Sequence, residues 1–275
     1  MQHILRILAC TACLLLLGAC DDGANQQAGA SRPTQSAPKV QKESPEPASF
    51  TVALAKNAVW PPPADSKVEE FDSVLTRQNF MAVLDMSGSM GESECSGSYG
   101  TKAAAARAAL SAWLEGVPRE ANVGLVVFSG NTVELKVPLG VDNRDMLRQA
   151  VNATYPGGGT PLRTSMAMAY KELERRARHQ NGYGDYRLVV ITDGQHSEGE
   201  NPRSVVDGIL GNPANPVQIY TIGFCVANSA LNQPGRVVYQ SANNPEELRQ
   251  GLDRVLAEST HFTADAIKEF PQDAK

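Results

Sequence analysis

Five oxygen-bearing side chains in this 275-residue chain could together bind a metal ion. Three of them, Asp85, Ser87 and Ser89, alternate in the stretch DMSGSM, directly after the apolar run FMAVL. The fourth is Thr160, which follows three consecutive glycines, and the fifth is Asp193, in the stretch ITDG. Carboxylate and hydroxyl oxygens select hard cations over metals that prefer Cys or His. We therefore predict a divalent-cation site, with magnesium the expected ion and manganese or calcium as alternatives.

Each of these stretches also has a purely structural explanation. DMSGS is common as a capped turn, GGGTP as a loop followed by a helix cap, and TDG as a turn that ends a strand. The metal interpretation therefore requires the three stretches to meet at one place in the fold.

Apolar runs and amphipathic segments alternate from residue 78 onward. Continuous apolar runs predict buried strands at residues 80–84, 121–128, 188–191 and 217–224. An alternating segment at 132–139 follows a Ser-Gly-Asn turn and predicts a hairpin partner. Helical spacing of apolar residues predicts helices at 101–117, 143–153 and 160–178 and after Asn244.

Helix boundaries are predicted from cap residues. Thr160 is expected to cap the third helix, with Pro161 at its first position, and Asn244 to cap the last one. Met146 is placed on the apolar face of the second helix, together with Leu147.

Alternating strands and helices predict an α/β fold with a mostly parallel sheet. In such sheets, ligands bind beyond the carboxyl ends of the strands. Asp85 and Asp193 each follow a predicted strand closely. We therefore expect these two carboxylates, and the Thr160 hydroxyl, at one edge of the sheet.

The five residues match the D-x-S-x-S, Thr and Asp pattern of the metal-ion-dependent adhesion site in von Willebrand factor A domains. The chain resembles this family over about residues 78–258, and the phrases TKAAAARAAL, VGLVVF, GGGTPL, VVITDG and YTIGF are typical of it. The resemblance implies a Rossmann-like open sheet, mostly parallel with one antiparallel edge strand, and helices on both faces.

The resemblance also implies a function and roles for the ligands. The Ser and Thr hydroxyls would bind the ion directly, and the two Asp residues directly or through water. An acidic residue of a protein partner would complete the coordination shell. The implied function is divalent-cation-dependent protein–protein binding without catalysis.

Two other functions stay open. A metal-dependent hydrolase could use the same cluster, although a two-metal phosphatase would usually offer more carboxylates and some His. No nucleophile elbow accompanies Ser87, so His196 is not assigned as a base. A structural envelope protein is the other alternative. Glu92 and Glu94, close to the first motif, are interpreted as solvated loop acids rather than as a second cation site.

The N-terminus predicts export and lipid anchoring. Residues 1–19 are interpreted as a signal peptide, because a short apolar run ends in Leu17-Gly18-Ala19-Cys20. This ending resembles the lipobox of bacterial lipoproteins, which implies lipidation of Cys20 and tethering to the bacterial membrane. Asp21 resembles an inner-membrane retention signal and favours the periplasmic face of the inner membrane. An ordinary secretory signal with a chance Cys is the alternative.

The remaining segments flank the α/β domain, which is assigned to residues 78–258. Residues 20–48 hold almost no large apolar side chains and predict a disordered tether. Residues 49–77 predict a peripheral extension, and residues 259–275 a polar C-terminal tail.

Cysteine count and charge add two expectations. Once the signal peptide is removed and Cys20 is lipidated, Cys95 and Cys225 remain as an even pair that could form a disulfide, with two free thiols as the alternative. The formal net charge is −5 and the sequence has no basic stripe, so nucleic-acid binding is not expected.

Overall fold

The computed structural model of the protein describes residues 59–63, 70–226 and 229–258. The predicted signal peptide, the tether with Cys20, the first part of the extension and the C-terminal tail lie outside the described residues. Within the described ranges, none of the helices combines the length and the apolar character needed to span a bilayer.

Six strands form one sheet in the order β3-β2-β1-β4-β5-β6. Their bounds are β1 Gln78–Met86, β2 Asn122–Ser129, β3 Thr132–Gly140, β4 Asp185–Thr192, β5 Gln218–Phe224 and β6 Val238–Ala242. All neighbouring strands pair in parallel except β2 and β3, which form the antiparallel pair at one edge. The predicted α/β fold with one antiparallel edge strand is confirmed.

Helices cover both faces of this sheet. They are α1 Lys102–Gly116, α2 Arg144–Asn152, α3 Leu162–His179, α4 Arg203–Leu210 and α5 Pro245–Ala257. Trp113 of α1 and Leu252 of α5 belong to the apolar core on one face, and Leu173 of α3 and Ile209 of α4 to the core on the other. A strand between two such layers must be apolar at every position, which explains the continuous run FMAVL in β1.

The strand order places a topological switch point between β1 and β4. From β1 the chain builds outward to β2 and β3, and it then returns to add β4 on the other side of β1. Crevices at the carboxyl ends of strands beside such a point are the usual ligand sites of open α/β sheets. Asp85 is the penultimate residue of β1, and Asp193 directly follows β4.

The predicted start of the third helix is wrong. Helix α3 begins at Leu162 with Pro161 as its N-cap. The side chain of Pro161 makes no capping hydrogen bond to the helix. Glu200 fills this role instead, because its carboxylate accepts a 2.8 Å hydrogen bond from the backbone N–H of Thr164. The Thr160 hydroxyl is thereby left available for the site.

Three further details differ from the sequence-based expectations. Met146 is 52% exposed, so the core-facing side of α2 consists of the buried Leu147 and Val151 and the partly buried Ala150. The strand β6 and the helix α4 were not predicted, because the former is a short, partly polar edge strand and the latter spans only two turns. The cap at Asn244 is confirmed, since its side chain accepts a 2.9 Å hydrogen bond from the N–H of Glu247.

The described residues of the predicted extension contact α3 and β4. The Trp60 ring lies 6.1 Å from the Tyr170 ring and 5.6 Å from the Tyr186 ring, between centroids. Asp72 accepts two hydrogen bonds from Arg176, at 2.8 and 3.0 Å. These contacts cover the end of α3 that is remote from Thr160.

Candidate metal centre

Asp85 is completely buried and held by two hydrogen bonds. Its Oδ1 accepts a 2.7 Å hydrogen bond from the N–H of Ser87, and its Oδ2 a 2.6 Å hydrogen bond from the hydroxyl of Thr192. Thr192 was not identified from the sequence, where its place just before Asp193 was the only signal. The two contacts fix the orientation of the Asp85 carboxylate at the end of β1.

The ionised form of Asp85 is costly in this environment. Burial raises the pKa of its carboxyl to about 6, although hydrogen bonds from Ser87 and Thr192 oppose the shift, and the nearby charge of Asp193 adds to it. A cation among these groups would offset the cost of burying the charge.

The two serines of the motif and Asp193 form a chain of close oxygen contacts. The hydroxyl oxygens of Ser87 and Ser89 are 3.1 Å apart, and the Ser89 hydroxyl donates a 2.8 Å hydrogen bond to Oδ1 of Asp193. Six oxygens placed about 2.1 Å from a magnesium ion have neighbouring oxygens roughly 3 Å apart. The observed spacings therefore fit the edges of such a coordination shell.

Thr160 completes the cluster next to Gly194. A Cβ atom built at Gly194 would lie 3.6 Å from Oγ1 of Thr160 and 3.9 Å from Oγ of Ser89. The two hydroxyls thus converge beside a residue without a side chain. The structure brings all five predicted ligands together at one edge of the sheet.

The glycine-rich loop before Thr160 is bonded directly to the ends of β1 and β2. The N–H of Gly157 donates a 2.9 Å hydrogen bond to the carbonyl of Met86. The N–H of Gly130 donates to the carbonyl of Gly157 at 2.7 Å, and the N–H of Gly88 donates to the carbonyl of Gly158 at 3.0 Å. A Cβ atom at Gly158 would lie 1.5 Å from the carbonyl oxygen of Gly130. Glycine is required there because the two backbones touch.

Ser197 joins the loop after β4 to the start of α3. Its N–H donates a 3.0 Å hydrogen bond to the carbonyl of Thr160, and its Oγ accepts a 2.8 Å hydrogen bond from the N–H of Thr160. The loop that begins with Asp193 therefore also positions Thr160. Sequence reasoning missed Ser197, whose only signal was its closeness to Asp193.

Replacing Ser197 by alanine is expected to weaken magnesium binding several-fold and to lower the free energy of unfolding by about 1 kcal/mol, because the N–H of Thr160 loses its acceptor. Calorimetric titration and urea unfolding would measure the two effects. Ser204→Ala, at an exposed position on α4, serves as the control. An unchanged magnesium affinity in Ser197→Ala would show that Thr160 does not depend on this contact.

Lys102 brings a buried positive charge to the cluster. Its Nζ lies 2.7 Å from Oδ2 of Asp193 and 3.0 Å from Oε2 of Glu92, and its side chain is only 4% exposed. Burial acts to lower the pKa of Lys102, but the hydrogen bonds and charges of Asp193 and Glu92 outweigh it and raise the pKa. Glu92 is an exposed loop acid, as expected, and it also has this specific contact; Glu94 is exposed.

A disulfide joins Cys95 and Cys225, with Cα atoms 5.9 Å apart. Cys95 lies in the loop between two short 3₁₀ helices, Gly88–Gly91 and Gly97–Tyr99, and Cys225 directly follows β5. The bond therefore ties the loop downstream of Ser89 to a neighbouring strand end at the same edge of the sheet.

The composition of the cluster fits a hard, partly hydrated cation. Among the described residues, no three His, Cys, Asp or Glu side chains are grouped so that they could hold a metal. The candidate centre instead combines two carboxylates with three hydroxyls, and magnesium accepts few protein ligands because it retains water. The donor set thus suits magnesium better than zinc.

Residues 80–195 match the family model described as von Willebrand factor type A domain. All five residues of the candidate centre fall within this range. The match covers less than half of the chain, and the strand order and the helices on both faces are those of the von Willebrand factor A fold. No curated protein gives a significant match.

Several solved structures share the fold at low sequence identity. A von Willebrand factor type A protein from Catenulispora acidiphila is 16% identical, with a TM-score of 0.52, over 67% of this chain and 43% of that one. The pilus adhesin SpaC from Lactobacillus rhamnosus GG is 15% identical, with a TM-score of 0.51, over 70% and 31%. The SpRpn10 VWA domain is 18% identical, with a TM-score of 0.50, over 65% and 95%. This chain thus spans less than half of the first two proteins and nearly all of the third.

Proposed function

We propose that this protein binds another protein through a divalent cation, with magnesium the expected ion. The observation that carries the proposal is the convergence of three hydroxyls and two carboxylates at the switch point between β1 and β4. Asp85, Ser87, Ser89, Thr160 and Asp193 are the residues that would hold the ion. We assign no catalytic role to any of them.

The hydrogen bonds suggest different roles for the two kinds of ligand. Both oxygens of Asp85 already accept hydrogen bonds, so this carboxylate is suited to orient Ser87 and ion-bound water. The hydroxyls of Ser87 and Ser89 are 3.1 Å apart, and the hydroxyls of Ser89 and Thr160 both lie beside Gly194, so these three hydroxyls would contact the ion itself. A bound cation would supply a positive charge to which a carboxylate of the partner can bind.

Protein binding is supported by the match to the von Willebrand factor type A model and by the structural similarity to a pilus adhesin. SpaC is a pilus adhesin and shares the fold of this chain. Protein binding is therefore the function that we transfer from such proteins to this chain, whereas the proposed requirement for a cation rests on the cluster of carboxylate and hydroxyl oxygens.

We further propose that the domain is lipid-anchored through Cys20 on the outer side of a bacterial inner membrane. The proposal rests on the sequence Leu17-Gly18-Ala19-Cys20 followed by Asp21. The disulfide between Cys95 and Cys225 supports an oxidising compartment. Metabolic labelling with a radioactive fatty acid, lost in Cys20→Ala, would test the anchor.

Replacing Asp85 by alanine is expected to abolish magnesium binding and capture of the partner. The test is a pull-down from membranes with the native chain, with and without a chelator, alongside the Asp85→Ala protein and calorimetry with magnesium. Proteins that are no longer captured in the presence of the chelator, and also not by the Asp85→Ala protein, are the cation-dependent partners. Circular dichroism would establish that the variant is folded, and Asp85→Asn provides an isosteric second variant.

Asp145→Ala is the matched control, because this carboxylate is 86% exposed and lies on α2. It should bind magnesium and partners as the native chain does. Magnesium binding that persists unchanged in Asp85→Ala would reject the proposed site.

A further inference from the structure

Lys102 occupies a position that is unfavourable for a cation unless a specific contact compensates. It is the first residue of α1, where the helix dipole disfavours positive charge, and its side chain is buried. Two carboxylates compensate: Asp193 at 2.7 Å and Glu92 at 3.0 Å. Asp193 is also one of the five residues of the candidate centre, so Lys102 acts on the charge of that centre.

The formal charges show what Lys102 does to a bound divalent cation. Asp85 and Asp193 alone would neutralise such an ion completely. The Lys102 ammonium cancels one of these negative charges. Because the exposed, solvent-screened Glu92 offsets that ammonium only in part, the ion would keep part of its positive charge within the site. Charges a few ångströms apart interact strongly at the effective dielectric constant of a protein surface, so the presence of the ammonium has a large effect on the affinity for a cation.

We propose that Lys102 sets the charge of the metal centre: it lowers the affinity of the centre for the cation and raises the affinity of the bound cation for a carboxylate ligand. This inference rests on the proposed function. Lys102 is a positioning residue in this role, because it acts through Asp193 and touches neither the ion nor the partner.

Glu92 modulates the same effect with the opposite sign. Its side chain is 59% exposed, and it reaches only Lys102 among the residues of this cluster. Removing its charge leaves the ammonium less neutralised, which should weaken cation binding. The two variants Lys102→Met and Glu92→Gln are therefore expected to shift the cation affinity in opposite directions.

Calorimetric titration with magnesium alone tests the first half of the inference. Lys102→Met is expected to bind magnesium about tenfold or more tightly than the native chain, and Glu92→Gln several-fold more weakly. Lys171→Met, which removes an exposed lysine from α3, is the control and should leave the affinity unchanged.

Acetate binding to the manganese-loaded protein tests the second half. Acetate that replaces an ion-bound water lowers the relaxation rate of water protons, so it can be titrated. Lys102→Met is expected to require at least about tenfold more acetate than the native chain, because its ion carries no residual charge. The Lys171→Met protein should titrate as the native chain does.

The outcomes separate this inference from the proposed function. If the native chain binds neither magnesium nor manganese, the proposed function fails, and this inference fails with it. If the native chain binds them but Lys102→Met binds magnesium equally or more weakly, Lys102 is only a structural brace and this inference alone is overturned. If Lys102→Met does not fold, Glu92→Gln becomes the test of the inference. An unchanged or higher magnesium affinity in Glu92→Gln overturns the inference.

Discussion

Replacing Gly158 by alanine is expected to lower the free energy of unfolding by at least about 3 kcal/mol and to abolish magnesium binding. Gly158 has a φ of +73°, and an added Cβ would lie 1.5 Å from the carbonyl oxygen of Gly130. Gly158 and Gly130 form an isolated β-bridge, which cannot persist with such an overlap, so the loop must move away from the end of β2. Thr160, two residues further on, would move with it.

Gly235→Ala separates the effect of the contact from that of the backbone angle. Gly235 has a φ of +75° and no atom within 4 Å of an added Cβ, so only the conformational cost of about 1 kcal/mol should remain. Urea unfolding and magnesium calorimetry would be run on both variants. Equal losses of stability would mean that the contact between Gly158 and Gly130 does not constrain the loop.

The carboxylates of the candidate centre were predictable because their positions follow from simple patterns. Asp85 directly follows a continuous apolar run, Asp193 follows another after one threonine, and parallel strands bring such ends to one edge of a sheet. The structure places the two strands side by side, as the metal interpretation requires. The oxygen-only donor set could also be read directly from the residue types.

The side chains that surround these ligands could not be predicted in the same way. Lys102 contacts a carboxylate 91 positions along the chain, and Ser197 contacts a residue 37 positions earlier. Such pairs depend on loop conformations, which carry no periodic pattern in the sequence. Thr160 illustrates the same limit, because a distant residue, Glu200, takes the capping role that local reasoning gave to Thr160.

Removing both half-cystines, in Cys95→Ala/Cys225→Ala, is expected to destabilise the domain by about 4 kcal/mol and to weaken magnesium binding several-fold. The disulfide joins residues 130 positions apart, and loss of a cross-link over so long a loop costs about 5 kcal/mol in the chain-entropy model, less where the folded state relaxes. Magnesium affinity should fall because the loop between Ser89 and Lys102 is no longer covalently attached to the end of β5.

Urea unfolding and magnesium calorimetry would compare the double variant with the native chain under oxidising and reducing conditions. Reductant should lower the stability and the magnesium affinity of the native chain to the values of the variant, and it should have no further effect on the variant. This result would attribute both losses to the disulfide rather than to the two substitutions. Equal stability of the oxidised and reduced native chain would contradict the prediction. A loss of stability with unchanged magnesium affinity would mean that the disulfide stabilises the fold while Ser89 and Lys102 are held by their own contacts with Asp193.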